Sequence, residues 1–205
     1  MLFTRGFKGK DRNRSAPPDR VPPGQYVTPD FPVLSAGPTP RTALEEWSFA
    51  LSHGGRTLAE WSWPDFEALP QTDIKVDIHC VTKWSKLDTS WRGVTFDDLL
   101  SAAGLEAPPA SFVMAHCDGG YTTNVPVADL VNGRAMIATH YEDLPIAPAH
   151  GGPARLLVPH LYFWKSAKWV RGLDFIEQDR AGFWESLGYH IYGDPWREQR
   201  YRGDP

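Results

Sequence analysis

Along residues 74–80 (IKVDIHC), Ile74, Val76, Ile78 and Cys80 take every second position, with Lys75, Asp77 and His79 between them. A period of two predicts a strand with one face toward the core. Residues 45–51 (EEWSFAL) read as another strand, with turn chemistry in HGGR behind it. SFVMAH, MIATHY, ARLLVP and WVRGLDFI add further strands. The helical signals are short. WSWPDFEAL predicts a helix with Pro64 in its first turn. Thr95 predicts the cap of a second helix running through Leu100, with Asp98 at its third position and Gly104 just past its end. VADLVNG predicts a third. No internal repeat and no βαβ rhythm is visible, so the pattern predicts an α+β fold of mixed or antiparallel sheets with short scattered helices.

The N-terminal end departs from this pattern. Residues 1–20 carry six Lys/Arg against two Asp/Glu, and eight prolines fall within the first forty positions. Residues 1–25 therefore read as a flexible basic tail. Residues 26–205 read as one domain, long enough to bury a sizeable core. Apolar residues make up 41% and charged residues 22%, as in soluble globular chains. A formal charge of −4 gives no ground for a polyanionic partner, so no nucleic acid is expected. No stretch approaches the roughly 18 apolar residues of a transmembrane helix. No export signal is visible at the N-terminus, which makes the cytoplasm the expected compartment. Nine tryptophans and nineteen prolines point to an aromatic-lined interior joined by stiff irregular segments.

The only cysteines are Cys80 and Cys117, with no CxxC, so a disulfide framework is not expected. Each follows a histidine, which raises a zinc reading. Neighbours on a strand point to opposite faces, however, and the local spacings of structural zinc sites are missing. Cys117 reads as a small core residue. Cys80 ends its strand beside Lys83, Trp84 and Lys86, which read as a cationic loop of the kind that stabilises a thiolate. A second constellation lies in residues 150–169, HGGPARLLVPHLYFWKSAKW. Its glycines let a ligand approach the backbone, and Arg155, Lys165, Ser166 and Lys168 are donors suited to a phosphate. The same residues also read as a solvated rim on an aromatic face. Neither GxxxxGK[ST] nor GxGxxG occurs, so no P-loop or Rossmann site is supported.

Together these segments, from FPVLSAGPTP to GYHIYGDPW, resemble the molybdopterin-binding domain of the sulfite oxidase family, which includes the periplasmic protein-methionine-sulfoxide reductases. In that family a single cysteine after a strand ligates molybdenum, and IHC looks like that position. The run from His150 through the glycine turn to Arg155, followed by Ser166-Ala167-Lys168-Trp169, matches the family spacing. Asp118 in HCDGGYTT resembles the residue that contacts the pterin, and Tyr189 stands where sulfite oxidases place an active-site tyrosine. The match departs at Leu34, where sulfite oxidases carry an arginine facing the substrate anion. It departs again after the cysteine, where Lys83 and Lys86 replace arginines.

The resemblance implies molybdenum-molybdopterin as cofactor, with Cys80 as the metal ligand and Cys80 and Tyr189 as catalytic residues. It implies that Ser35, Ala36, Asp118, His150, Arg155, Ser166, Ala167 and Lys168 hold the cofactor. The expected activity is oxygen-atom exchange with a small sulfoxide-, N-oxide- or sulfite-like molecule. Electrons would pass to or from a separate partner, such as a quinone, a cytochrome or another redox protein. Two alternatives use the same residues: a non-catalytic cofactor carrier or anion-binding module, and a cysteine hydrolase pairing Cys80 with a base such as His116.

Overall fold

In the computed structural model, which describes Pro17 and residues 19–205, two sheets pack face to face. The first contains β1 (Tyr26–Val27), β4 (Thr72–His79), β5 (Trp84–Thr95), β8 (Met136–Tyr141), β9 (Leu144–Pro145) and β10 (Arg155–Leu157). The second runs in the order β3 (Arg56–Ser62), β2 (Ser48–His53), β11 (Val170–Ile176), β6 (Phe112–Cys117) and β7 (Thr122–Pro126). Pairing is antiparallel except for β1 on β5 and β11 on β2, so the sheets are mixed. The helices are short: α1 (Trp63–Glu67), α2 (Phe96–Ala102) and α3 (Phe183–Ser186).

Local chemistry accounts for these elements. Ser62 and Asp65 form a reciprocal capping box at the start of α1, with Pro64 in its first turn. The Thr95 side chain accepts from the Asp98 N–H at 3.1 Å and caps α2, and Gly104 follows in the left-handed region. Gly54 and Gly55 both have positive φ, as a two-residue hairpin between β2 and β3 requires. Three expectations need adjustment. Residues 44–46 form a 3₁₀ turn, and the strand expected over 45–51 begins only at Ser48. VADLVNG forms a 3₁₀ turn at Val127–Asp129 rather than an α-helix. The cationic loop expected after Cys80 is a tight turn into β5, which at 12 residues is the longest strand described.

The first sheet is buried on both faces. Ile137 and Leu156 point into a cluster shared with Phe49, Leu51, Val113 and Phe175 of the second sheet. Their neighbours Met136, Ala138 and Leu157 point the other way, into a cluster with Ile78, Cys80, Trp84, Trp91 and Phe163. Alternation along a strand therefore serves two cores, and the candidate site borders the second.

The expected tail over residues 1–25 falls largely outside the described residues. Its described end is fastened to the first sheet, where Arg20 lies 2.6 Å from Asp77 and 3.0 Å from Asp88.

Candidate cofactor site

β4 ends at His79, and Cys80 opens the turn that leads into β5. The Cys80 N–H donates to the Trp84 carbonyl at 2.8 Å, and the Lys83 N–H to the Cys80 carbonyl at 2.9 Å. Lys83 adopts a φ of 78° to close the turn. The Thr82 hydroxyl donates to Cys80 Sγ at 3.2 Å. Burial pushes the Cys80 thiol up, while Thr82 and the charge of Arg200 pull it down. Arg200 is thus a cation that favours the thiolate, and Lys168 feels the charge of Cys80. Lys86 reaches away to the Pro29 carbonyl.

Cys80 opens onto a cavity of about 300 Å³. Ser35, Ala36, Arg155, Ser166, Ala167, Lys168 and Tyr189 also line it, together with Leu34, Thr82 and a wall of aromatic rings. Arg155 is 1% exposed and its hydrogen-bond partners among the described residues are two carbonyls, of His150 and Ser166, each at 2.6 Å. Its guanidinium stacks 4.1 Å from the Phe163 ring centroid. Burial works against the charge and lowers the pKa, yet the guanidinium stays cationic at neutral pH. The Ser166 hydroxyl accepts from the Val158 N–H at 2.9 Å, which leaves its own proton to donate. Lys168 donates to the carbonyls of Leu34 and Ala149, both at 2.7 Å. Burial, then repulsion from Arg155, pull Lys168 down to about 8. Gly151 lets the backbone pass against Lys168: with φ at 108°, an added Cβ would stand 2.9 Å from Lys168 Cβ.

Tyr189 lines the cavity with its ring 5.0 Å from Trp184 and 5.2 Å from Trp164. Burial, then Tyr201 and Cys80, push its phenol up, so it is a proton donor at neutral pH. Tyr121 donates to the Trp164 carbonyl at 2.7 Å and fixes that side of the wall.

Asp118 and His150 do not line the cavity. Asp118 accepts from the Thr42 hydroxyl at 2.6 Å. The His150 ring stacks on cavity-lining Phe31, with centroids 4.0 Å apart, and its carbonyl holds Arg155. Lys165, expected among the phosphate donors, is fully buried and ion-paired to Glu185 at 2.7 Å, so it serves the core. Cys117 is buried among the residues between the sheets. Among the described residues no three His, Cys, Asp or Glu side chains converge as a metal-binding group. Thr82, Tyr121, Trp184 and Arg200 escaped sequence reasoning. Only Thr82, two residues after the cysteine, carried a local signal.

The cavity suits an anionic, acceptor-rich group. Two N–H donors on its lining residues, Arg155 Nε and Trp84 Nε1, are buried without a partner among the described residues. Leaving such donors unpaired is costly unless a ligand accepts from them. A cation without a carboxylate beside it asks for an anion in the same way.

Residues 36–184 match the family described as the oxidoreductase molybdopterin binding domain. The chain belongs to that family, the molybdopterin-binding oxidoreductases related to sulfite oxidase, whose cofactor is molybdenum-molybdopterin. It is 42% identical over 199 residues to the uncharacterized oxidoreductase YuiH of Bacillus subtilis, covering 97% of this chain and all of that one. It is 26% identical to YedZ1 of Azospira oryzae, named as a candidate protein-methionine-sulfoxide reductase subunit, over 89% of this chain and 69% of the other. The fold resembles the sulfane dehydrogenase SoxCD of Paracoccus pantotrophus, with a TM-score of 0.59 at 18% identity, over 68% of this chain and 40% of that one. Among the described residues no helix is long and apolar enough to cross a membrane.

Proposed function

We propose that this oxidoreductase exchanges an oxygen atom with a small sulfoxide-, N-oxide- or sulfite-like molecule, with Cys80 as the protein ligand of molybdenum. The observation that carries the reading is that Cys80 and the carboxylate-free Arg155 border one cavity. When bound, the cofactor supplies the two-electron redox couple through which the oxygen atom is exchanged. Arg155, Ser166 and Lys168 would hold its phosphate, with Ser35, Ala36 and Ala167 on the same lining. His150 and Asp118 act from behind, bracing Phe31 and Arg155 and the Thr42 segment respectively. Tyr189 holds its phenolic proton at the cavity wall and can donate a hydrogen bond to a substrate oxygen. The aromatic wall keeps water out. Electrons come from or go to a separate redox protein or quinone, a reading supported by the name of the Azospira relative as a subunit.

The test is metal and pterin content alongside turnover in a screen of sulfoxides, N-oxides and sulfite. The parent protein is expected to carry close to one molybdenum per chain. Cys80→Ala is expected to abolish turnover while part of the pterin stays bound. Cys117→Ala, altered away from the cavity, is expected to keep both metal and turnover. An essential Cys117 with a dispensable Cys80 would overturn the ligand assignment. A loaded parent with no turnover on any substrate would make the protein a carrier.

A further inference from the structure

We infer that the two ends of the described chain form a clamp, Gln25 on one side and Arg200 on the other, that sets the position of the Cys80 turn. Residues 80–83 are closed by few bonds of their own, chiefly the Lys83 N–H to the Cys80 carbonyl and the Cys80 N–H to the Trp84 carbonyl. Side chains from far along the chain add to these. Gln25 Nε2 donates to the Cys80 carbonyl at 3.1 Å, across 55 residues of sequence. Arg200 Nη1 donates to the Val81 carbonyl at 2.7 Å, across 119 residues. The same guanidinium also reaches the Pro23 carbonyl at 3.4 Å, so one cation ties both ends to the turn.

The clamp is itself built in. Gln25 and Arg200 are 6% and 7% exposed. The Arg200 guanidinium lies 5.0 Å from the Tyr162 ring centroid, which fixes its plane. Asp204 accepts from the backbone N–H groups of Arg200 at 2.9 Å and Tyr201 at 2.7 Å and curls the last residues around the arginine. On the other side, the Tyr26 backbone N–H donates to the Lys83 carbonyl at 2.8 Å, so β1 is seated where the turn ends. Both Gln25 and Arg200 lie outside the segment matched to the family, residues 36–184. A short turn with two successive carbonyls held from opposite ends has little freedom to swing its cysteine. Gln25 and Arg200 are therefore positioning residues, acting on the metal through Cys80. The proposal rests on the reading of Cys80 as the ligand.

The experiment compares the parent chain, Gln25→Leu, Arg200→Gln and the milder Arg200→Lys, each prepared with and without cofactor. In cofactor-free protein, amide hydrogen exchange of residues 80–84 is expected to quicken roughly tenfold or more in Arg200→Gln, by less in Gln25→Leu, and to an intermediate degree in Arg200→Lys. Residues 112–117 of β6 should exchange as in the parent. In loaded protein, the molybdenum X-ray absorption spectrum should change in Arg200→Gln while pterin content is kept, because the phosphate side of the cavity is untouched. Unchanged exchange in the turn, or equal quickening in the turn and β6, would overturn the clamp. A Cys80→Ala protein with the parent's molybdenum spectrum would instead overturn the ligand reading beneath it.

Discussion

Lys168 carries two opposite pH dependences. In the folded protein its pKa is about 8, against 10.5 for the ordinary side chain. Between those values the unfolded chain holds the proton more firmly, so this group makes the cofactor-free protein more stable as pH rises through that window. Anion binding runs the other way, because the cation is lost above about 8. We expect phosphate affinity of the cofactor-free protein to fall between pH 7.5 and 9, and Lys168→Arg to flatten that fall; calorimetric titration with inorganic phosphate checks both. Leu34 decides a different property. It lies at the cavity, 48% exposed, and brings no donor from its side chain. An oxyanion entering the cavity sheds water and needs fixed donors in exchange. A missing guanidinium contact is worth roughly 1.5–3 kcal/mol. Sulfite oxidation by loaded protein is therefore expected to be weak, with a modest gain in kcat/KM on Leu34→Arg in a steady-state assay with an artificial acceptor. Efficient turnover at micromolar sulfite by the parent would refute the argument.

At the scale of elements, β5 holds the site together and is not among the strands that the sequence pattern predicts. Its buried positions include Ser85 and Thr89, which a hydropathy pattern reads as exposed. Tertiary bonds permit their burial: Ser85 Oγ meets His79 Nδ1 at 2.9 Å, and Thr89 donates to the Val76 carbonyl at 2.6 Å. β5 also pairs with three strands, β1, β4 and β8, which sequence periodicity does not encode. Gly93 sits where its pairing with β8 shifts register, and an added Cβ would lie 2.1 Å from the Ile137 carbonyl oxygen. Gly93→Ala is expected to destabilise the protein by roughly 1–3 kcal/mol, read as a lower urea midpoint. An unchanged midpoint would mean the two strands separate there at little cost.

For the whole molecule, the buried Lys165–Glu185 pair joins distant parts of the chain behind the cavity wall. Lys165 Nζ donates to the carbonyls of Asn124 and Ile191 at 2.8 and 2.7 Å. Glu185 Oε1 accepts from Thr123 at 2.8 Å and from the Trp164 indole at 2.9 Å. β7, the Trp164 segment, α3 and the C-terminal region therefore meet at one charged point. Removing one partner strands a buried charge, so Glu185→Ala is expected to cost about 3–5 kcal/mol in chemical denaturation. Replacing both partners with apolar residues should recover part of that loss. If the single and double variants unfold alike, the pair does not act as a unit.

Short-range chemistry was legible in the sequence by itself: the two-residue period into Cys80, the first-turn proline of α1, the cap of α2, the glycine turn after β2, and the run from His150 to Trp169. These depend on neighbours a few positions apart, and so does the family resemblance carried by their spacing. Tertiary structure alone decided how these pieces meet. It turned Lys165 inward to Glu185 while Lys168, three residues on, faces the cavity, and it kept Asp118 and His150 off the cavity lining. It also brought Gln25 and Arg200 from opposite ends of the chain to the turn at Cys80. The reason is physical: a side chain's period and charge bias which residues are buried, but which buried donor meets which acceptor depends on how the sheets pack, and no local pattern specifies that.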